Sequence, residues 1–442
     1  MCMGRGAGWY LNTYAKNCYA ILVYKYQVCC RIASHTGRNM ETSKNERQPI
    51  FRSKATLLIG LVVLVVAGSI VFFLSPAFKS ITARSHPTVS IPASSNTAMF
   101  GYDIQRTHFN PSEHILGTAN VSHLVSYWTA STRSYILSSP TVANGIVYVG
   151  SSDELLYALD AKTGKILWLH VAKDDVGSSA AIANGIVFAG SDDHNLYALN
   201  ARTGATVWTY VTEGAIWSSP VVAGGIVYVG SNDSNLYALD AATGKVLWTH
   251  ATENFVSSSP AVVNGVVYVG SEDGQLYAFD ARKGKTLWAA TAGLAIRVSS
   301  PAVVKGVVYI GSEDRNVYAF DARTGKLLWT APTGGYIHSS PAVADDVVYI
   351  GSTDGKLHAF NARTGKPIWT ASTGATIHSS PAVANGVVYV GSQDHKLYAF
   401  DAHTGAMLWS YTTGDVVDSS PAVVNGVVYV GSWDGKVYAF HL

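Results

Sequence analysis

The sequence predicts an all-β fold: an eight-bladed β-propeller of four-stranded antiparallel blades, preceded by one transmembrane helix. Three observations carry this. A Ser-Ser-Pro triplet, or a near variant, starts at Ser138, Ser178, Ser218, Ser258, Ser299, Ser339, Ser379 and Ser419. A tryptophan keeps step with it at Trp128, Trp168, Trp208, Trp248, Trp288, Trp329, Trp369 and Trp409. Both recur every 40 residues, with one step of 41, as stacked units sharing one core do. Upstream, residues 55–74 read ATLLIGLVVLVVAGSIVFFL, 20 residues without charge or proline. That is about the length that crosses the hydrocarbon layer as a helix.

Residues 1–54 form a basic leader. They hold nine of the 31 Lys/Arg but only two of the 29 Asp/Glu. Residues 1–39 are rich in Tyr and Cys and show no period; at Met40 the composition changes, consistent with translation starting there. Arg52 and Lys54 abut the apolar run, so the positive-inside rule puts the N-terminus in the cytoplasm and the rest outside. The run exceeds the roughly 7–15 apolar residues of a cleaved signal peptide, which favours an uncleaved anchor. Residues 75–99 are rich in Ser, Thr, Ala and Pro and read as an exposed stalk. The expected localisation is a single-pass protein with its propeller extracytoplasmic, at a bacterial cell envelope.

The main body runs from residue 100 to 442. At 48% hydrophobic and 14% charged, the chain is no disordered one. The body is slightly acidic and lacks the electrostatic footprint of a nucleic-acid binder. All four cysteines lie in the first 30 residues, so no disulfide staples the repeats.

Residues 379–410 show one unit: SSPAVANGVVYVGSQDHKLYAFDAHTGAMLWS. Its apolar runs PAVA, VVYVG, KLYAF and AMLWS are separated by turn signals. Asn385-Gly386 suits a two-residue type I′ hairpin, in which both residues take positive φ. Gln393–His395 turns the second pair and Asp401–Gly405 the third, giving a four-stranded meander. Aspartates such as Asp160, Asp240, Asp280, Asp321 and Asp401 are expected to hold turn amides. Runs such as Val387–Val390 are apolar on both faces and need cover on both sides, which blades packed around an axis supply.

The last unit reaches only its third strand, whereas Trp128 lies on a fourth strand that precedes the first unit. The strand around Trp128 is therefore expected to complete the last blade. Each tryptophan of the column should pack over the glycine turn and small alanine of a neighbouring blade. Burying such a ring is worth on the order of 4–6 kcal/mol gross. Eight equivalent tryptophans read as structural docking groups; Trp217 and Trp433 fall outside the column.

Residues Tyr318–Trp329 and their counterparts resemble the tryptophan-docking repeat of pyrroloquinoline-quinone (PQQ)-like propellers. Phe100–Pro111 and Asn120–Trp128 are similar to the lead-in of such proteins. The resemblance covers roughly residues 100–442. It implies either a quinoprotein dehydrogenase using PQQ with calcium, or a non-catalytic scaffold like the lipoprotein of the outer-membrane assembly machine. The chain departs from the dehydrogenases: insertion between Trp128 and Trp409 totals one residue, and no cysteine pair or distinct acidic residue stands out. The expected function is a binding or scaffolding module, with a protein or small-molecule ligand on the propeller face. The alternatives are a PQQ-dependent dehydrogenase and the ligand-sensing domain of an envelope complex.

One column varies where the rest is monotonous. It immediately precedes each triplet: Leu137, Gly177, Trp217, Ser257, Val298, His338, His378 and Asp418. There the chain crosses from an outer strand to the next inner strand, near one channel mouth. Trp217, His338, His378 and Asp418, with Arg297 at the single insertion, form the candidate ligand cluster. His and Asp are ordinary metal ligands; the competing reading is a wet channel lining.

Overall fold

The computed structural model describes residues 99–442. The leader with Met40, the 55–74 run with its expected membrane helix, and the stalk up to residue 98 lie outside the described residues. Among the described residues no helix is long and apolar enough to cross a membrane.

The repeats fold into eight antiparallel blades. The first consists of Thr141–Ala143, Ile146–Gly150, Leu155–Asp160 and Ile166–Val171, hydrogen-bonded in that order. Six more blades repeat the same order. The hairpin between first and second strands is the expected primed turn: Asn144 and Gly145 have φ of 52° and 77°. The turn aspartates act as predicted; Asp160 Oδ1 accepts from the Thr163 amide and hydroxyl at 2.9 and 2.7 Å. Val147 and Val149 on the second strand are fully buried, as a strand covered on both faces requires. The cores sit between blades: Tyr309 and Ala319 of one blade pack with Val348 and Phe360 of the next.

Each fourth strand carries a bulge just before its tryptophan; in the first blade the register shifts between Ala158 and Leu159. A bulge twists the strand and re-aims a side chain, here toward the next blade. Trp168 Nε1 donates to Ala201 O at 3.0 Å, and its ring covers the turn at Gly204. A Cβ on Gly204 would lie 2.6 Å from that ring. Seven of the eight tryptophans dock in this way. Trp409 instead donates to Leu124 O at 3.1 Å, in the lead-in.

The ring closes as the sequence predicts. Val125–Ser131 pairs antiparallel with Lys436–His441, placing Trp128 opposite Ala439. It thereby supplies the fourth strand of the eighth blade. The second serine of each triplet makes an independent closure: the Ser139 amide donates to Ser179 Oγ, Ser179 to Ser219, and so on around all eight blades. The Ser420 amide finally donates to Ser139 Oγ at 2.9 Å. The first serine works within its own blade; Ser138 Oγ accepts from Gly150 N at 2.8 Å.

The sequence did not foretell the course of the lead-in. Phe109–Asn110 adds a parallel fifth strand to the inner edge of the seventh blade, beside Ala382–Ala384. The carbonyls of Ile104, Gln105, Thr107 and His108 accept from Val262, Val303, Val343 and Val383 on successive inner strands, at 2.6–2.9 Å. These strands are edges whose amides need partners, and the lead-in supplies them.

Candidate functional site

Antiparallel order puts two kinds of loop on the same face: those joining second to third strands, and those crossing to the next blade. The variable column lies on the crossings, directly above the serine ring. Its side chains open into a cavity of about 350 Å³ lined by Leu137, Gly177, Trp217, Val298, His338, His378 and Asp418, together with Asp175 and Asp192. Below it, a second void of about 110 Å³ is bounded by the ring serines and Phe100.

Arg106 holds this floor. It is fully buried, and its guanidinium donates to the carbonyls of Phe100, Ser219, Pro220 and Pro260 at 2.6–3.0 Å. It also lies 5.3 Å from the Phe100 ring centre. Burial pulls its pKa down to about 9 despite the nearby Asp103 carboxylate. Beside it, burial pulls His108 down to about 3, and the Arg106 charge adds to that. The lead-in therefore closes the channel on the side away from the mouth.

Four of the five predicted site residues form one polar chain. Arg297 Nε lies 3.6 Å from both Glu272 Oε1 and Glu313 Oε1. Glu313 Oε1 meets His338 Nε2 at 3.1 Å. That hydrogen bond, reinforced by the Arg297 charge, holds the Glu313 carboxyl below its ordinary range. The His338 and His378 rings stand 4.9 Å apart. Gln393 Nε2 bridges His378 Nδ1 at 3.0 Å and both Asp418 oxygens at 3.3 Å. Trp217 lines the same cavity but stands apart from this chain.

The insertion has a local consequence. Val298 takes φ 61°, and the Ser299 amide donates across it to Arg297 O at 2.6 Å. A β-branched residue is strained there, and the tight turn projects Arg297 toward the two glutamates.

Sequence reasoning missed a second variable column, the position after each Gly-Ser: Ser152, Asp192, Asn232, Glu272, Glu313, Thr353, Gln393 and Trp433. Three of its members touch the first column directly: Glu272 meets Ser257, Glu313 meets His338 and Gln393 meets His378. The signal was available, because this position breaks the repeat just as the first column does. The adjacent aspartate of each unit is structural: Asp233 Oδ2 accepts from Tyr237 OH at 2.7 Å and from the Glu213 amide at 2.9 Å.

The lining bears on cofactors. PQQ is a tricarboxylate, whereas this mouth is rich in carboxylates and its Arg297 already faces two of them. Among the described residues no group of three or more His, Cys, Asp or Glu is arranged to hold a metal ion, whereas calcium takes six to eight oxygen ligands. The residues present do not fit PQQ with calcium.

Eight blades docked by tryptophan and closed by an N-terminal strand define a propeller of the PQQ-repeat type. The family model described as "Outer membrane protein assembly factor BamB" matches residues 126–215, 192–335 and 313–442, and the chain belongs to this family. No curated protein matches the sequence. Among solved structures, a europium-containing methanol dehydrogenase is 17% identical with a TM-score of 0.70, covering 79% of this chain and 98% of its own. BamB from Moraxella catarrhalis is 23% identical with a TM-score of 0.62, covering 72% and 98%. Quinohemoprotein alcohol dehydrogenase from Comamonas testosteroni is 19% identical with a TM-score of 0.68, covering 79% and 80%. At these identities the likeness is one of fold, and it spans scaffold and enzyme alike.

Proposed function

We propose that this protein is a membrane-anchored, extracytoplasmic propeller that binds or scaffolds protein partners at the cell envelope through its open mouth. One observation carries the reading: the loops of one face vary from blade to blade while the strands beneath them are nearly invariant, and two of the varied columns meet at one mouth. Repeats that need only fold have no use for such local variety, whereas a recognition surface does. The apolar run at 55–74 and its basic flank support the anchor and the orientation. Membership of a family described as an outer-membrane assembly factor favours a protein partner. The mismatch of the lining with PQQ weighs against the dehydrogenase reading.

The test is site-specific photocrosslinking in cells, with the probe at Trp217 or Tyr336 on the mouth face and at Arg323 on the opposite face. Discrete adducts from the mouth positions alone are expected, in the membrane fraction. Absence of mouth adducts, together with dye reduction by alcohols or sugars that requires added PQQ and calcium, would overturn the proposal.

A further inference from the structure

The charges of the propeller are sorted by face. The loops of the mouth face, with the strand ends that meet them, hold 18 Asp/Glu against seven Lys/Arg. The turns of the opposite face hold 12 Lys/Arg, against seven Asp once the strand-end aspartates that cap them are included. Eight of the mouth acids are the repeat aspartates that accept from a third-strand Tyr, or in one blade from His358, and these are structural. Of the other ten, Asp174 and Asp415 each accept from the amide that follows them, and the ten still outnumber the seven cations.

Within the cavity the same imbalance meets an apolar wall. Trp217 is 46% exposed, Leu137 40% and Val298 48%, whereas the repeat tryptophans are spent on docking. Arg297 adds little net positive charge, because Glu272 and Glu313 both stand 3.6 Å from it. Carboxylates line the cavity from two sectors a quarter-turn apart, Asp418 at the eighth blade and Asp175 and Asp192 at the second. Among the described residues the serine ring and Phe100 lie beneath it, and the cavity opens on the acidic face. A concave, low-dielectric wall of one sign concentrates the field and raises the local concentration of the opposite charge.

We infer that the mouth is a receptor for a cationic side chain, an arginine or lysine presented on a loop of a protein partner. The aliphatic stem would pass between Leu137 and Val298, which face each other across the channel, and the charged head would lie between Trp217, whose π-face attracts a cation, and the Asp418 carboxylate of the same cavity. The strained turn at Val298 fits a binding role, since backbone strain of this kind collects at ligand clamps. This inference rests on the binding reading above and adds the chemistry of the ligand.

The experiment uses the full chain labelled with 5-fluorotryptophan. The Trp217 fluorine signal is assigned by its loss in Trp217→Phe. The probes are an acetylated Gly-Arg-Arg-Gly amide and its Gly-Glu-Glu-Gly counterpart. The arginine peptide is expected to shift the Trp217 signal, to bind more weakly as salt rises, and to lose about tenfold in affinity in Asp418→Asn. Unchanged melting of Asp418→Asn serves as the folding control. Equal binding of the glutamate peptide, or affinity indifferent to salt, overturns the cationic assignment while leaving a binding mouth in place. If neither peptide moves Trp217, mouth adducts from photocrosslinking would show that only the ligand class was wrong. Their absence would remove the binding reading as well.

Discussion

Single residues show where the repeat is satisfied and where it is not. Tyr228 OH donates to Ala281 O at 2.9 Å, the same carbonyl that receives Trp248 Nε1. Its counterpart Tyr389 is fully buried, and its hydroxyl has no hydrogen-bond partner, because the lead-in replaces the usual docking turn beside that blade. The second blade already has Phe188 at this position. Tyr228→Phe should cost about 1 kcal/mol, whereas Tyr389→Phe should be neutral or stabilising, since it removes an unsatisfied buried group. Urea titrations of both variants would decide; an equal loss in the two would mean that Tyr389 is satisfied in solution. His358 is a second exception, standing where the other seven blades have Tyr. Burial holds its imidazole below the ordinary value, although Asp354, 3.0 Å away, works against that. The unfolded chain therefore takes up the proton first as pH falls through about 6.5. Stability from this group is full above that pH and is lost below it. His358→Tyr should lower Tm less than wild type does between pH 7.5 and 5; an identical fall would show that His358 does not contribute.

At the scale of the element, each blade is held by what its fourth strand gives to the next. Trp329 Nε1 bonds Ala362 O at 3.0 Å and its ring covers Gly365. Trp329→Ala removes both and opens a void between two blades, so a loss of about 3–5 kcal/mol is expected. Chemical denaturation would show it as a lower midpoint; a loss below about 1 kcal/mol would mean that the ring is not a docking group. The sequence made this element legible because Trp, Gly and Ala recur at fixed spacing, and each needs a local physical reason to recur. The same logic located His338, His378, Asp418 and Arg297, since departures from a strict repeat are visible against it. It did not reveal that Glu272, Glu313 and Gln393 join them. Nor could it reveal the path of residues 104–108, whose bonds to the inner strands of four blades are made by backbone carbonyls that leave no mark in side-chain identity.

No covalent bond closes the described ring, and besides the serine ring the lead-in serves its closure twice. Val125–Ser131 completes the eighth blade, and residues 104–108 satisfy the amides of inner strands from the fourth blade to the seventh. Without the lead-in, Lys436–His441 becomes an exposed edge with unpaired backbone, a template for association with other chains. Trp128 alone is worth about 3–5 kcal/mol by the same reasoning as Trp329, a large share of the roughly 5–15 kcal/mol of a typical domain. Deleting residues 99–131 while joining the flanking chain should therefore do more than lower a midpoint. The single unfolding transition should split, because the eighth blade can melt before its neighbours, and light scattering should report oligomers at micromolar concentration. Trp208→Ala, which weakens a blade whose four strands are continuous, should keep one transition and stay monomeric. A monomeric deletion variant with a single transition would mean that the serine ring and inter-blade cores close the wheel unaided. The latch would then be a refinement of the fold rather than a condition for it.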